Sequence, residues 1–338
     1  MSDIYDGKVV STRVRLARNI EGYPFPSHLK DDKQAKEIIR LVSSGLSRLD
    51  EFSLYYIDKI PSEQAICFIE NHLISPKLLT NKGRSAVLIN REENVSIMIN
   101  EEDHLREQCI VKGFDLRLAY DTMSEIDGRI AKSMNFAYDE QFGYLTACPT
   151  NLGTGQRASV MLFLPAITMN GLVPKVIRSV SRLGLTVRGV YGEGSDAEGF
   201  MYQISNEITL GVTEEEILTK VGNVVTKICE LEEAERNNLK FGEHSLDLQD
   251  ECMRAFGILT NCAKITSAEL EKLAAKVKLG ACLGYLDIKD ISAIDELIIK
   301  LRPSNITVAA QKDLTPSERD VYRAGRCVKA FREMTDKR

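Results

Sequence analysis

Hydrophobic and polar positions alternate in short runs along the first two-thirds of the chain, then give way to a helical rhythm. "SAVLIN" (85–90) and "VSIMIN" (95–100) flank the polar "REEN" and predict a β-hairpin. "HLREQCIV" (104–111) follows three residues later, so the spacing predicts a meander. "YLTAC" (144–148), "RASVMLFL" (157–164), "LTVRGV" (185–190) and "MYQISNEI" (201–208) read as further strands. Helical periodicity fits 31–49, 115–134 and 213–236. Strands spaced this closely, without regular crossover helices, predict an α+β fold with a mainly antiparallel sheet flanked by helices.

The rhythm changes near 240. Beyond "NNLKFGEHS" (237–245) strand signals fade, and helical segments follow one another at 245–260, 267–279, 290–300 and 315–334. Ser267 with Glu269 and Glu271 marks one helix start, and "LTPSE" (314–318) marks another. The expected organisation is an α+β domain over 8–236 and an all-α C-terminal domain over 241–338.

Composition narrows the function classes. A chain of 338 residues, 43% hydrophobic, can bury a full core and suggests two domains. Its net charge of −5 supplies no global basic field, which disfavours direct nucleic-acid binding. No apolar run approaches the roughly 18 residues of a membrane span. The start, "MSDIYDGKVV", lacks the charged and apolar regions of a secretory signal. Eight cysteines are scattered without CxxC pairs, which points to reduced thiols in a cytoplasm, not a disulfide framework or zinc site. With four histidines and no HExxH, no protein-held catalytic metal is expected.

The candidate chemistry lies in the arginines. GxxxxGK[ST] is absent, which excludes a Walker-type nucleotide loop. In "STRVRLAR" (11–18), Arg13 and Arg15 are two apart and project from one face of a strand. A solvated edge is the plain reading, but like charges side by side repel unless an anion sits between them. Arg106 follows "NEEDHL" on the face of His104, Arg157 follows the loop Gly153–Thr154–Gly155, and Arg188 precedes "GVYGEGS". Guanidinium groups are planar, permanently charged forks that bind phosphate oxygens two at a time, so this set suits a polyphosphate. Cys148, before Pro149 and the glycine loop, is placed less like a core cysteine than Cys67 or Cys229. "NEED" supplies an acidic turn in which Glu101, Glu102 and Asp103 are all candidates.

In this order and spacing, "STRVRLARN", "NEEDHLR", "CPTNLGTGQRAS" and "RGVYGEGS" resemble the phosphagen (ATP:guanido) kinases, above all their bacterial protein-arginine kinase branch. The match covers about 8–236. The resemblance implies the guanidino kinase catalytic fold, with ATP and its Mg2+ held at Ser11, Thr12, Arg13, Val14, Arg15, His72, Arg106, Arg157, Ala158, Ser159, Val160, Met161, Arg188, Gly189, Val190, Tyr191, Gly192 and Glu193. It implies Glu102 as the catalytic base and Glu193 as the carboxylate that orients the acceptor guanidinium. Cys148 matches the family's active-site cysteine, which assists without forming a covalent intermediate. A guanidinium has no free lone pair and a pKa above about 12, so transfer needs in-line alignment with the γ-phosphate and a base.

Small-molecule members of the family carry a helical N-terminal domain. Here the first arginine motif begins at Ser11, so that domain is expected to be absent and the site open to an arginine within a polypeptide. Downstream, "RDVYRA" matches the RDxxRA motif, which implies an allosteric phosphoarginine site at Arg319, Asp320, Val321, Tyr322, Arg323 and Ala324. Arg319, Asp320 and Arg323 would form one charged helix face. The implied activity is ATP-dependent phosphorylation of arginines in proteins, in bacterial protein quality control and stress response. Implied partners are protein substrates with accessible arginines, an activator protein, a stress repressor, a Clp-type protease, and a second copy of the chain in a homodimer or higher homo-oligomer. A kinase for free arginine and a non-catalytic phosphoarginine-binding adaptor are the alternatives.

Overall fold

The computed structural model describes residues 4–29, 31–46, 52–189 and 198–335. Among these, the long strand β1 (Val9–Arg18) precedes β2 (Phe52–Tyr56), β3 (Ala86–Asn90), β4 (Val95–Ile99) and β5 (Leu105–Lys112). A small ribbon, β6 (Tyr138–Asp139) and β7 (Gly143–Tyr144), comes before β8 (Gln156–Phe163), β9 (Leu185–Gly189) and β10 (Met201–Asn206). The other eight strands form one sheet in the order β2-β3-β4-β5-β1-β8-β10-β9, each neighbouring pair antiparallel.

Helices α1 (Asp32–Leu46), α2 (Ser62–Glu70), α3 (Leu116–Ala131), α4 (Pro165–Met169), α5 (Val173–Ser181) and α6 (Glu214–Phe241) are interleaved with these strands. Five more follow: α7 (Ser245–Leu259), α8 (Ser267–Leu283), α9 (Ser292–Lys300), α10 (Pro303–Ala310) and α11 (Pro316–Thr335). No helix among the described residues is long and apolar enough to cross a membrane.

Strand periodicity sorts the sheet into two unlike faces. On one, Val14 and Leu16 join Ala158, Val160, Leu162, Ile204 and Leu185 in the main core. That face is covered by α1, whose buried Ala35, Ile38, Ile39 and Val42 recur at helical spacing, and by α3 and α6. The opposite face carries the register neighbours Arg15 and Arg157, Arg13 and Ser159, and Ser11 and Met161. A smaller core seats α2 and the chain after it on β3 and β4 through Phe68, Leu73, Val87 and Met98. At the other side, Phe163 packs with Leu248, Cys252, Ala275 and Leu279 of α7 and α8. The arginine row runs between these two covers.

The two parts of the chain also meet through polar contacts. Glu70, the last residue of α2, accepts the backbone N–H groups of Ser304 (3.0 Å) and Asn305 (2.9 Å). These are first-turn amides of α10, which have no partner inside their own helix. Arg302 returns a hydrogen bond from Nη1 to the Glu70 carbonyl at 2.6 Å.

The hairpin, the meander and the antiparallel sheet agree with the sequence pattern; three local features differ. "YLTAC" contributes only the end of β7, because the Ala147 N–H turns to the Asp103 carboxylate (2.6 Å) instead of a strand partner. Four short elements, β2, α4, α5 and α10, have too few residues for periodicity to register. His104 does not join Arg106. It is fully buried, its Nδ1 accepting the Ile20 N–H at 3.0 Å and its Nε2 lying 2.9 Å from the Pro24 carbonyl.

Burial pushes the His104 imidazole down to about 4, against a partial opposing pull from the Pro24 carbonyl. The unfolded chain takes up that proton near pH 6.5, the folded one only near 4. Stability contributed by the neutral ring is therefore full above pH 6.5 and is lost as pH falls toward 4, by at most about 3 kcal/mol. Urea unfolding followed from pH 7 to 4 should show this loss in the wild type and a shallower slope in His104→Gln. Equal slopes would sink the assignment.

Candidate active site

The site begins with backbone parity. Arg13 and Arg15 on β1, Arg106 on β5, Arg157 on β8 and Arg188 on β9 all project from the same face. Arg15 stands directly opposite Arg157, and Gln108 stands opposite Arg15 on its other side. Among the described residues, neither the Arg13 nor the Arg15 guanidinium has a hydrogen-bond or ion-pair partner. The Nε atoms of Arg15 and Arg157 are buried and unpaired.

The electrostatics follow from this crowding. Solvent reaches part of Arg13, but burial, then Arg106 and Arg157, push it down to about 10. Arg15 is driven further below its ordinary value by burial and by Arg13, Arg106 and Arg157, with Glu101 opposing. Burial and Arg188 lower Arg157, and Glu207 offsets part of this. Guanidinium groups stay charged at neutral pH, so the depression measures electrostatic strain that an anion with several oxygens relieves.

The glycine loop is held beneath this row by an arginine that the sequence reading passed over. Arg18 points to the opposite face, where it is 1% exposed. Its Nε and Nη2 reach Asp127 of α3 at 3.1 and 3.0 Å, and its Nη1 donates to the Thr154 carbonyl at 2.9 Å. Tyr144 stacks on it, 3.6 Å from ring centre to guanidinium carbon. Gly155 has φ +65°, and a Cβ there would lie 2.5 Å from the Ala17 carbonyl oxygen and 2.6 Å from Arg18 Nη1. Only glycine fits between strand and clamp. Odd spacing after Arg13 and Arg15 was the available signal, since residue 18 falls on the other face.

Three consecutive carboxylates lie at the rim, in a turn begun by Asn100 at φ 58°. Glu101 is committed: Oε1 accepts from Arg106 Nη1 (2.8 Å) and Ser75 Oγ (2.5 Å). Asp103 is committed too, to Asn19 Nδ2 (2.7 Å) and the Ala147 N–H. Glu102 lies between them with its side chain 33% exposed, in an ion pair with Lys77 at 3.0 Å. The turn therefore offers one carboxylate free of the framework. Cys148 opens a 3-10 turn over Pro149–Asn151, its Sγ 3.1 Å from Thr150 Oγ1, and it is near enough to Arg157 to raise that guanidinium's pKa.

His72 lies on the site side at φ 60°, its carbonyl accepting from Gln108 Nε2 at 2.6 Å. Although solvent reaches the residue, crowding by protein, then Arg302 and Arg13, push its imidazole down to about 4. It is neutral at physiological pH.

Several implied residues do not reach the site with their side chains. Thr12, Val14, Ala158 and Val160 alternate with the site-facing residues and are fully buried on the core side. Thr12 instead donates to the Gly113 carbonyl at 2.7 Å. Ser11, Ser159 and Met161 share the arginine face, and Gly189 ends β9 beside Arg188. Val190, Tyr191, Gly192 and Glu193 lie outside the described residues. In the C-terminal part, Arg319, Asp320 and Arg323 do not form a solvated charged face. Arg323 is 1% exposed, donating to the carbonyls of Leu301 (2.9 Å) and Ile265 (3.0 Å) and to Asp320 (2.6 Å). Ala324 is buried beside it, Val321 is exposed, and the Tyr322 hydroxyl accepts from Arg326.

Comparison with known proteins gives a consistent result. Residues 34–235 match the family model described as ATP:guanido phosphotransferase, C-terminal catalytic domain. Residues 245–338 match the protein-arginine kinase McsB C-terminal domain. The chain is 41% identical to a protein-arginine kinase of Halothermothrix orenii, over 94% of this chain and 90% of that one. It is 39% identical to a protein-arginine kinase of Clostridium acetobutylicum, over 96% of both. Among solved structures it is similar to a lombricine kinase, with TM-score 0.60, 29% identity and 68% of each chain covered. It shares its fold with the duplicated taurocyamine kinase from Schistosoma mansoni, with TM-score 0.63, 23% identity, and 84% of this chain and 48% of that one covered.

Replacing one crowded charge by an apolar side chain of similar length should relieve repulsion and weaken anion capture together. Arg15→Met is expected to raise the ligand-free melting temperature by roughly 2–4 °C. The same variant should bind inorganic tripolyphosphate about tenfold more weakly by calorimetry. A lower melting temperature with unchanged affinity would assign Arg15 to the fold instead.

Proposed function

The chain belongs to the ATP:guanido phosphotransferase family, and from that premise we propose that it is a protein-arginine kinase, moving the γ-phosphate of ATP onto arginine guanidinium groups in proteins. The observation that carries this reading is the crowded row of guanidinium groups, of which Arg13 and Arg15 have no partner among the described residues, on a face where Arg106 is tied to Glu101, the neighbour of the exposed Glu102.

Arg13, Arg15, Arg106, Arg157 and Arg188 hold the phosphates and stabilise charge as it moves toward the departing ADP. Magnesium enters with the nucleotide as part of the substrate. Among the described residues, no group of three His, Cys, Asp or Glu side chains is placed to hold a metal ion. The acceptor nitrogen attacks the γ-phosphorus as the bond to the bridging oxygen breaks, and its proton passes to Glu102. Glu193 is assigned by resemblance to grip the acceptor's second nitrogen. Cys148, beside Arg157, assists without covalent attachment. Neutral His72 belongs to the nucleotide side.

The wider setting extends the same proposal: a bacterial cytoplasm, stress-linked quality control, an activator, a repressor and a Clp-type protease as partners, and a homodimeric or larger assembly. A phosphoarginine at "RDVYRA" would meet Arg323 already held by the Leu301 and Ile265 carbonyls and paired with Asp320, and Arg319 donating to the Leu314 carbonyl.

Labelled ATP with magnesium, offered an arginine-rich protein or free arginine, tests the reading. Acid-labile label should accumulate on the protein. Glu102→Gln should cut it by about 10²–10⁴-fold while retaining tripolyphosphate binding. Label on free arginine alone would favour the small-molecule kinase, and no transfer at all would leave the adaptor reading.

A further inference from the structure

Glu102 is paired as well as uncommitted. Lys77 Nζ lies 3.0 Å from its Oε1, with the lysine side chain 54% exposed. The backbone beneath both partners is fixed. Ser75 donates from Oγ to Glu101 Oε1 at 2.5 Å and accepts the Leu78 N–H at 3.3 Å. Glu101 Oε2 in turn accepts the Glu102 N–H at 2.8 Å. One buried carboxylate therefore ties the Lys77 turn to the acidic turn, and the lysine stem is the part left to swing.

We propose that Lys77 occupies the seat of the acceptor guanidinium and acts as a specificity-determining residue, covering Glu102 until an arginine displaces it. This rests on the kinase reading above. Both the ammonium and the incoming guanidinium are cations that a carboxylate attracts, so they compete for the same oxygens. An ion pair this exposed contributes little and exchanges readily. The competition is unequal, because guanidinium presents a planar fork that engages both carboxylate oxygens, whereas ammonium is a compact point charge. A lysine from a client protein brings nothing that Lys77 does not already supply. An arginine does. The resident cation thus selects for the acceptor group on which the enzyme acts.

Steady-state kinetics with a folded, arginine-bearing protein and saturating ATP-Mg test the proposal across wild type, Lys77→Met and Lys77→Arg. Removing the competitor in Lys77→Met should lower the acceptor KM by about two- to fivefold, with kcat and the KM for ATP within about twofold of wild type. Lys77→Arg should raise the acceptor KM above wild type, because the resident fork grips both oxygens. An unchanged acceptor KM in Lys77→Met, or a kcat loss beyond about tenfold with KM constant, overturns the proposal. The latter would make the lysine an aid to the base or the phosphates. If wild type itself labels no protein, the kinase reading fails; if wild type works but the order Met, Lys, Arg is absent, only the role of Lys77 fails.

Discussion

Like charges set on one face of a β-sheet repel, and everything distinctive about this chain follows from holding them there. Neighbouring strands are about 4.8 Å apart, so Arg15 and Arg157, opposite in register, cannot avoid one another. The sheet tolerates this because its other face carries the main apolar core, and that burial fixes register along β1, β5 and β8. A slip of one residue would turn the arginines into the core and Val14 and Leu16 toward the site. The hydrophobic pattern and the charge constellation are thus one specification.

The same alternation divides labour among neighbouring residues. Arg18, at even spacing from Val14 and Leu16, leaves the anion row and clamps the glycine loop from below through the Thr154 carbonyl. Glu101, Glu102 and Asp103 are chemically near-identical, yet one neutralises Arg106, one ties down Asn19 and Ala147, and one stays at the rim. The two fixed neighbours make the third precise. The adjoining framework fixes the backbone of Glu102 while its side chain stays 33% exposed at the rim, in its ion pair with Lys77.

Much of this was legible in the sequence. Two-residue spacing placed Arg13 and Arg15 on one face, and alternating runs gave the hairpin, the meander and the antiparallel sheet. What escaped was set by distant contacts. Nothing local marks His104 as a buried ring closing on Ile20 and Pro24, or Arg323 as a pin for the Leu301 and Ile265 carbonyls. In both, the partners that bury an ionisable side chain lie tens of residues away, beyond the reach of any local pattern. Ranges carried whole from a resemblance also blurred parity: Thr12, Val14, Ala158 and Val160 border the site by backbone alone. The relation of Lys77 to Glu102 depends on a turn tied down by Ser75, which no spacing rule reveals.

Glu70 completes a helix that belongs to the other end of the polypeptide. Its oxygens take the Ser304 and Asn305 amides, and two residues later the chain reaches His72. Prising the tail helices from the sheet would strand a carboxylate and two amides together, so the seam resists partial opening. The end of α2 and the start of α10 are thus joined at one carboxylate, and α2 carries that tie to β3 and β4 through Phe68.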